Sequence, residues 1–184
     1  YDDIISINGE NAIVVKNKKY GVVGIADEKN IIDTNYNNIT YAADNNYIVN
    51  NNGKYGIMNT DGNTSIEFKY SNIVYRSTGN FYEATNGDYT SDLIDSQLNV
   101  KLSKVIVSEV NEDKGYIMVH DENKNKYYNF RFEERTKQDI NSSNTLFLDK
   151  QNDKYGYVDK NGKVVVDYQY DDATEQNEYG YAAV

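Results

Sequence analysis

The sequence predicts an all-β chain built from tandem repeats of about 34 residues. Each repeat is expected to be an antiparallel β-hairpin unit, stacked on the next in an elongated, solenoid-like array, with a closed propeller-like ring as the alternative. Three observations carry this expectation. Tyrosines recur in a fixed phase, the triplet Lys-Tyr-Gly stands at 19–21, 54–56 and 154–156, and short β-branched and aromatic runs alternate with Asn, Asp and Gly clusters.

The phase is the strongest of the three. Tyr20, Tyr55 and Tyr89 are spaced by 35 and 34 residues, and so are Tyr1 ("YDDI"), Tyr36 ("YNNI") and Tyr70 ("YSNI"); the two series keep an offset of 19. Tyr170 ("YDDA") follows Tyr155 by the same 15 residues that separate Tyr70 from Tyr55. Lys104-Val105-Ile106-Val107 falls 34 residues after "YSNI" and keeps its apolar fourth position, and Tyr127 is expected to continue the Tyr20 series. One repeat array over 1–184 follows, with units at 1–35, 36–69, 70–103, 104–136 and 137–169 and a partial unit at 170–184. Lacking an initiator Met and stopping in mid-unit, it is expected to be a piece of a longer protein.

Within a unit, "AIVVK" (12–16), "NYIVN" (46–50), "FYEA" (81–84), "YIMV" (116–119) and "LFLD" (146–149) align as one strand. "KYGVVGI", "KYGIMN" and "KYGYVD" form the next, and "NIID" (30–33) and "KVVVD" (163–167) a short third. Turns between them are marked by "NNNGK" (50–54), "NTDG" (59–62) and "DKNGK" (159–163), whose Asn-Gly and Asp-Gly pairs tolerate positive φ. Helical periodicity is confined to "FRFEERTKQDI" (130–140).

Alternation along a strand puts Tyr55 and Ile57 on one face, Gly56 and Met58 on the other. A tyrosine supplies a large apolar ring with a polar tip, a neighbouring Gly lets another backbone approach, and the lysine stem is expected to lie over the ring. Tyr20, Gly21, Tyr36, Tyr55, Gly56, Tyr70, Tyr155, Gly156 and Tyr170 are therefore expected to be structural, since a unit of this length cannot bury its own apolar face. Tyr41, Tyr75, Tyr82 and Tyr116 fall outside the phase and are the candidate ligand-facing residues.

The run "NEYGYAAV", with "KYGYVDKNGKVVVDYQYDDA", resembles the WG (KWG) β-repeat family of bacterial proteins. Its unit reads approximately Gly-hydrophobic-Ala-x-Val, Lys-Trp-Gly, hydrophobic-Ile-Asp, Gly-Lys, a short apolar strand and Tyr-Asp-x-hydrophobic. The resemblance is good over 1–74 and 144–184 and poor over 90–143. The chain looks like a divergent member, with Tyr20, Tyr55 and Tyr155 where the family carries Trp and no Pro before "YDD". The resemblance implies a β-repeat array and a bacterial surface or secreted setting, and it implies no reaction. Choline-binding repeats are similar more loosely, in their aromatic hairpins, but have a shorter unit and use Trp.

Composition narrows the function classes. Of 184 residues, 39% are hydrophobic, enough for a core, and 19 are Tyr, which separates the chain from disordered Asn-rich sequences. The net charge of −10 disfavours nucleic acid and anionic membranes. No Cys is present to form disulfides or ligate zinc. No apolar run approaches the ~18 residues of a membrane span, and no signal peptide is visible.

No enzyme is expected. His120, the single histidine, has no Ser and Asp partners marked out for it, and "GVVG" (21–24) lacks the spacing of a phosphate loop. The carboxylate pairs Asp2-Asp3 and Asp171-Asp172 occupy positions held elsewhere by Asn37-Asn38 and Ser71-Asn72, small turn formers that share hydrogen bonding rather than acidity. Glu133-Glu134 reads as a solvated loop. "DENKNK" (121–126) would place Lys126 and Phe132 where a calcium loop needs Gly and Glu. Asn38, Asn63 and Asn141 head Asn-x-Ser/Thr sites, which matter only in a glycosylating host. No cofactor and no metal are expected. The function expected is a non-catalytic scaffold of a surface or secreted protein that binds a protein partner, monomeric in isolation; a glycan or cell-wall binding module is the alternative.

Overall fold

The computed structural model describes residues 1–121, 124–141, 146–159, 162–175 and 182–184. The chain is all-β apart from one short helix, and its strands form repeated antiparallel sheets without a closed barrel among the described residues. It divides into two compact units, residues 1–77 with 81–104, and 78–80 with 105–184.

The first unit holds three successive modules. Strands β1 (Asp3–Asn8), β2 (Asn11–Lys16), β3 (Lys19–Gly24) and β4 (Asn30–Tyr36) form one four-stranded meander. β5 (Asn38–Tyr41), β6 (Asn46–Asn51), β7 (Lys54–Asn59) and β8 (Thr64–Tyr70) repeat it. β9 (Asn72–Arg76), β10 (Phe81–Thr85) and β11 (Ser91–Asp95) follow, ordered with β12 (Val100–Asn111), which crosses from the first unit into the second at 104/105. In the second unit the later part of β12 pairs with β13 (Tyr116–Asp121), then come β14 (Lys124–Asn129) and β15 (Glu134–Arg135). A three-stranded sheet of β16 (Phe147–Gln151), β17 (Lys154–Val158) and β18 (Val164–Tyr170) completes it.

The modules of the first unit thus have four strands, β12 counted with the third, where the apolar runs mark three. The additional one starts just after the "YxxI" tyrosine and is short, four residues in β5 and five in β9. The stretch 130–140 is not one helix. Its middle is β15, and only Lys137–Asn141 (α1) is helical. Thr136 sets that boundary: its Oγ1 accepts from the Asp139 amide (3.2 Å), and the Asp139 carboxylate accepts from the Thr136 amide (2.7 Å), a reciprocal cap that stops the helix extending backwards.

The two tyrosine series prove to be cross-strand partners. Tyr20 faces Tyr36, Tyr55 faces Tyr70 and Tyr155 faces Tyr170. Two residues further along, Val22 faces Ile32, Ile57 faces Ile66 and Tyr157 faces Val166. In these three modules the single glycine of the triplet therefore stands opposite three residues of the next strand, a three-against-one bulge. The carbonyl before that bulge leans into the glycine: a Cβ on Gly21, Gly56 or Gly156 would lie 2.8, 2.6 or 2.6 Å from the oxygen of Ile32, Ile66 or Val166. The triplet lysine does not cover its tyrosine at Tyr155; the cross-strand Lys150 does, with Nζ 5.0 Å from the ring centroid, while Lys154 reaches Asp171 at 2.5 Å.

Polar turn residues recur in step. Asn17 and Lys18, Asn52 and Gly53, and Asn152 and Asp153 have positive φ at both central positions of the two-residue hairpin turns. The Asp2 carboxylate accepts from the Asn17 amide (2.6 Å), and the Asn37 side chain accepts from the Asn52 amide (2.9 Å). Asp and Asn thus do one job at one position, holding the turn against the strand before it.

The core lies at the seams between modules. Ile13, Val22 and Ile32 of the first sheet meet Ile39, Tyr47, Val49 and Met58 of the second. Ile48 and Ile57, on the opposite face of the second sheet, meet Ile73, Tyr82, Ala84 and Ile94 of the third, with Tyr70 beside them. The two clusters use equivalent positions. In the second unit Asp149 accepts from both Arg131 (2.7 and 2.9 Å) and the Tyr168 hydroxyl, joining the loop after β14 to β16 and β18. The pairing holds the Asp149 carboxyl below its ordinary range despite burial.

Gly56→Ala is expected to destabilise the chain by about 1–3 kcal/mol, because a Cβ 2.6 Å from a backbone carbonyl forces the bulge to shift. Gly87, with nothing within 4 Å of a built Cβ, is the control: Gly87→Ala should leave thermal stability unchanged or slightly raised. Equal melting temperatures for the two variants would remove the steric account of the triplet.

Candidate binding surface

The strand order puts β1, β5 and β9 at sheet edges, and the open surface of the first unit is shaped between consecutive edges. A cleft of about 400 Å³ lies between β1 and β5, lined by Ser6 and Asn8 on one side and Asn38, Thr40 and Tyr41 on the other, with Ile13 and Tyr20 also against it. A second, of about 470 Å³, lies between β5 and β9, lined by Asn38, Thr40 and Tyr41 on one side and Asn72, Val74 and Tyr75 on the other, with Ile48 and Tyr55. Both volumes fall in the about 300–1,000 Å³ range of small-molecule sites.

The clefts are copies of each other. Ile13 and Ile48, Tyr20 and Tyr55, Asn38 and Asn72, and Tyr41 and Tyr75 hold matching places. In each the rim tyrosine is braced by a buried one: Tyr41 meets Tyr47 edge-on at 5.6 Å between centroids, and Tyr75 meets Tyr82 tilted at 5.1 Å. Burial, then the Asp44 carboxylate and the neighbouring Tyr41 phenol, hold the Tyr75 hydroxyl above its ordinary value, so it stays a neutral donor.

Of the four ligand-facing candidates, Tyr41 and Tyr75 therefore line clefts. Tyr82 and Tyr116 do not face solvent. Tyr82 is 1% exposed, sits in the core between the second and third modules, and has its hydroxyl pushed up to about 12, mainly by burial. Tyr116 is buried at the start of β13, donating to Glu109 at 2.9 Å and packing edge-on to Tyr127. The off-phase positions mix two environments because Tyr41 and Tyr75 lie on the edge strands β5 and β9, whereas Tyr82, the cross-strand partner of Tyr75, and Tyr116 lie on the interior strands β10 and β13. Among the structural tyrosines, Tyr70 is fully buried, whereas Tyr20, Tyr36, Tyr55, Tyr155 and Tyr170 are half-buried.

Tyr89 also changes place. β10 pairs with β11 so that Thr85 faces Ser91 and Ala84 faces Asp92, which puts Ser91 and Asp92 in the slots of Tyr55 and Gly56. Tyr89 is left in the turn, 89% exposed at φ 66°. Asp92 is 6% exposed and accepts from the Tyr70 hydroxyl (2.8 Å), Ser103 Oγ (2.8 Å) and the Lys104 amide (2.9 Å). Burial opposes its ionisation, but these donors outweigh it and hold the carboxyl below its ordinary value; burial and Asp92 together raise the Tyr70 hydroxyl. A side chain thus satisfies polar groups of the next strand, β12, where glycine elsewhere admits a carbonyl. Aligning the apolar pair Leu93-Ile94 with Ile57-Met58 is the sequence signal that locates Asp92.

The remaining polar candidates have local partners. His120 is exposed and its Nδ1 lies 3.1 Å from Asn125 Oδ1. Glu133 accepts from Asn129 (2.6 Å) and Arg135 (2.5 Å). Asp3 and Asp172 each accept from the amide of the next residue. The loop at 121–126 is described only in part, since Glu122 and Asn123 lie outside the described residues. Among the described residues no group of three or more His, Asp or Glu side chains is placed to hold a metal ion, and no helix is long and apolar enough to cross a membrane.

A family model described as WG containing repeat matches residues 55–88 and 155–184. Both stretches begin on the tyrosine of a Lys-Tyr-Gly triplet, on the strand that faces the bulge. No curated protein matches the chain.

Asp92→Asn should lower stability near neutral pH by about 1.5–3 kcal/mol, the scale of hydrogen bonds to a charged group. Because the folded-state pKa is depressed, this advantage of the native chain is present above the ordinary aspartate pKa, about 4, and is lost as pH falls through the lower folded value. Denaturant titrations of both proteins from neutral to strongly acid pH should show the gap closing; a gap independent of pH would contradict an ionised Asp92.

Proposed function

We propose that this chain is a non-catalytic β-repeat scaffold of a bacterial surface or secreted protein, and that it acts by binding a protein partner. The observation that supports this most directly is the repetition itself: successive modules present equivalent strands and edges on a surface with a net charge of −10, the arrangement that suits an extended, complementary partner. The similarity to the WG containing repeat over two stretches points the same way, towards an array rather than a reaction centre. A partner that meets this surface carries basic side chains.

A second reading, a glycan-binding module, is favoured by the placement of Tyr41 and Tyr75 on open clefts.

The scaffold reading is tested with a purified partner recovered by cross-linking to the intact chain from bacterial surface extracts. Binding should be stoichiometric and should weaken as salt rises from about 0.05 to 0.5 M, where the screening length falls below about 5 Å. Affinity insensitive to salt, or chemical conversion of the captured molecule, would count against it.

A further inference from the structure

We propose that the two equivalent clefts flanking β5 form one continuous site for a neutral, linear oligosaccharide, with Tyr41 at its centre and Tyr75 extending it. This deepens the glycan-binding reading and rests on it.

The first argument is charge. Lys, Arg, Asp and Glu make up 26% of the chain, yet none lines either cleft; both are walled by tyrosine, asparagine, serine or threonine, and aliphatic side chains. Charge is kept off the lining of both hollows, although the Asp44 carboxylate acts on the Tyr75 hydroxyl, and such a lining suits an uncharged ligand. The second is chemistry. A half-buried tyrosine offers a ring face to the C–H face of a sugar and a hydroxyl to its oxygens, while Asn38, Asn72 and Thr40 add donors and acceptors for ring hydroxyls. The buried partners Tyr47 and Tyr82 brace the rim rings, so little side-chain freedom remains to be lost on binding.

The third argument is continuity. Asn38, Thr40 and Tyr41 belong to both clefts, so a chain lying across β5 occupies both at once. Stacked sheets are spaced by about 10 Å, within the span of a short oligosaccharide. An extended peptide would instead pair with an edge strand, and β5 offers only four residues for such a ladder. The repeat makes the site polymeric: one ligand unit meets Tyr20, Asn38 and Tyr41, and the next meets Tyr55, Asn72 and Tyr75.

The test is an NMR titration of the unaltered chain with cello-, chito-, xylo- and malto-oligosaccharides, from di- to hexasaccharide, with oligogalacturonate as the charged comparison and a neutral extended peptide as the second. At least one neutral series should perturb Asn38, Thr40 and Tyr41 first, then Asn72 and Tyr75. The hexasaccharide should bind at least about tenfold tighter than the disaccharide, since engaging the second cleft is intramolecular. Tyr41→Ala should lower affinity about tenfold or more at every length; Tyr75→Ala should weaken only the longer ligands. Should Tyr41→Ala fail to fold, the perturbation map of the unaltered chain decides alone. Saccharide binding mapped elsewhere would overturn the cleft assignment but leave a glycan-binding chain. No saccharide binding, with or without a response of the β5 amides to the peptide, would overturn both, and equal affinity for oligogalacturonate would overturn the charge argument.

Discussion

One close contact sets the geometry on which each regular module depends: a backbone carbonyl resting where a glycine has no side chain. Ile32, Ile66 and Val166 bring their oxygens to within 2.6–2.8 Å of the Cβ positions that Gly21, Gly56 and Gly156 lack. The approach requires three residues of one strand to bow out opposite one residue of the strand before it, and that bow turns the strand so that the next tyrosine returns into register. Lys-Tyr-Gly is therefore a register device. The tyrosine fixes the pair at one end of the bulge and the glycine admits the carbonyl within it.

With the register fixed, alternation along each strand divides the work. Tyr47, Val49 and Met58 point to the module before, Ile48 and Ile57 to the module after, so one sheet contributes to two seams. A one-residue slip would exchange these sets. The same logic explains exposed apolar residues that look out of place. Ile39 and Ile73 are 3% and 5% exposed against the preceding module, whereas Ile4, at the matching position of the first module, is 59% exposed. Burial at that position is a property of the seam and not of the residue.

The strands with β-branched runs were legible in the sequence because alternation and turn chemistry agreed, as in "NYIVN" followed by Asn52-Gly53 and "KYGIMN". The edge strands were harder. β5 and β9 have one buried apolar residue each, Ile39 and Ile73, so no run announces them, and they merge with the landmark tyrosines that precede them. The third module misled for a different reason. Its turn between β10 and β11 is longer, so Tyr89 keeps the spacing while the register moves on to Ser91 and Asp92. Spacing counts residues; pairing counts hydrogen bonds, and the two part company wherever a loop changes length. The rim tyrosines were separable from Tyr82 and Tyr116 through the pairing, since all four lie outside the two landmark tyrosine series of the sequence.

The position of the clefts follows from the same constraint. A meander whose third and fourth strands are locked by the bulge keeps its first strand at the edge, paired on one side only, and stacking then sets one short edge beside the next. Side chains that leave the seam at that edge, Tyr41 in one module and Tyr75 in the next, have no further strand to pack on, so they line a hollow instead. In the first unit each of the two seams comes with one hollow. The buried tyrosine at each of these two seams, Tyr47 or Tyr82, is thus also what holds a second tyrosine in place at the surface, and substituting the seam tyrosine changes both at once.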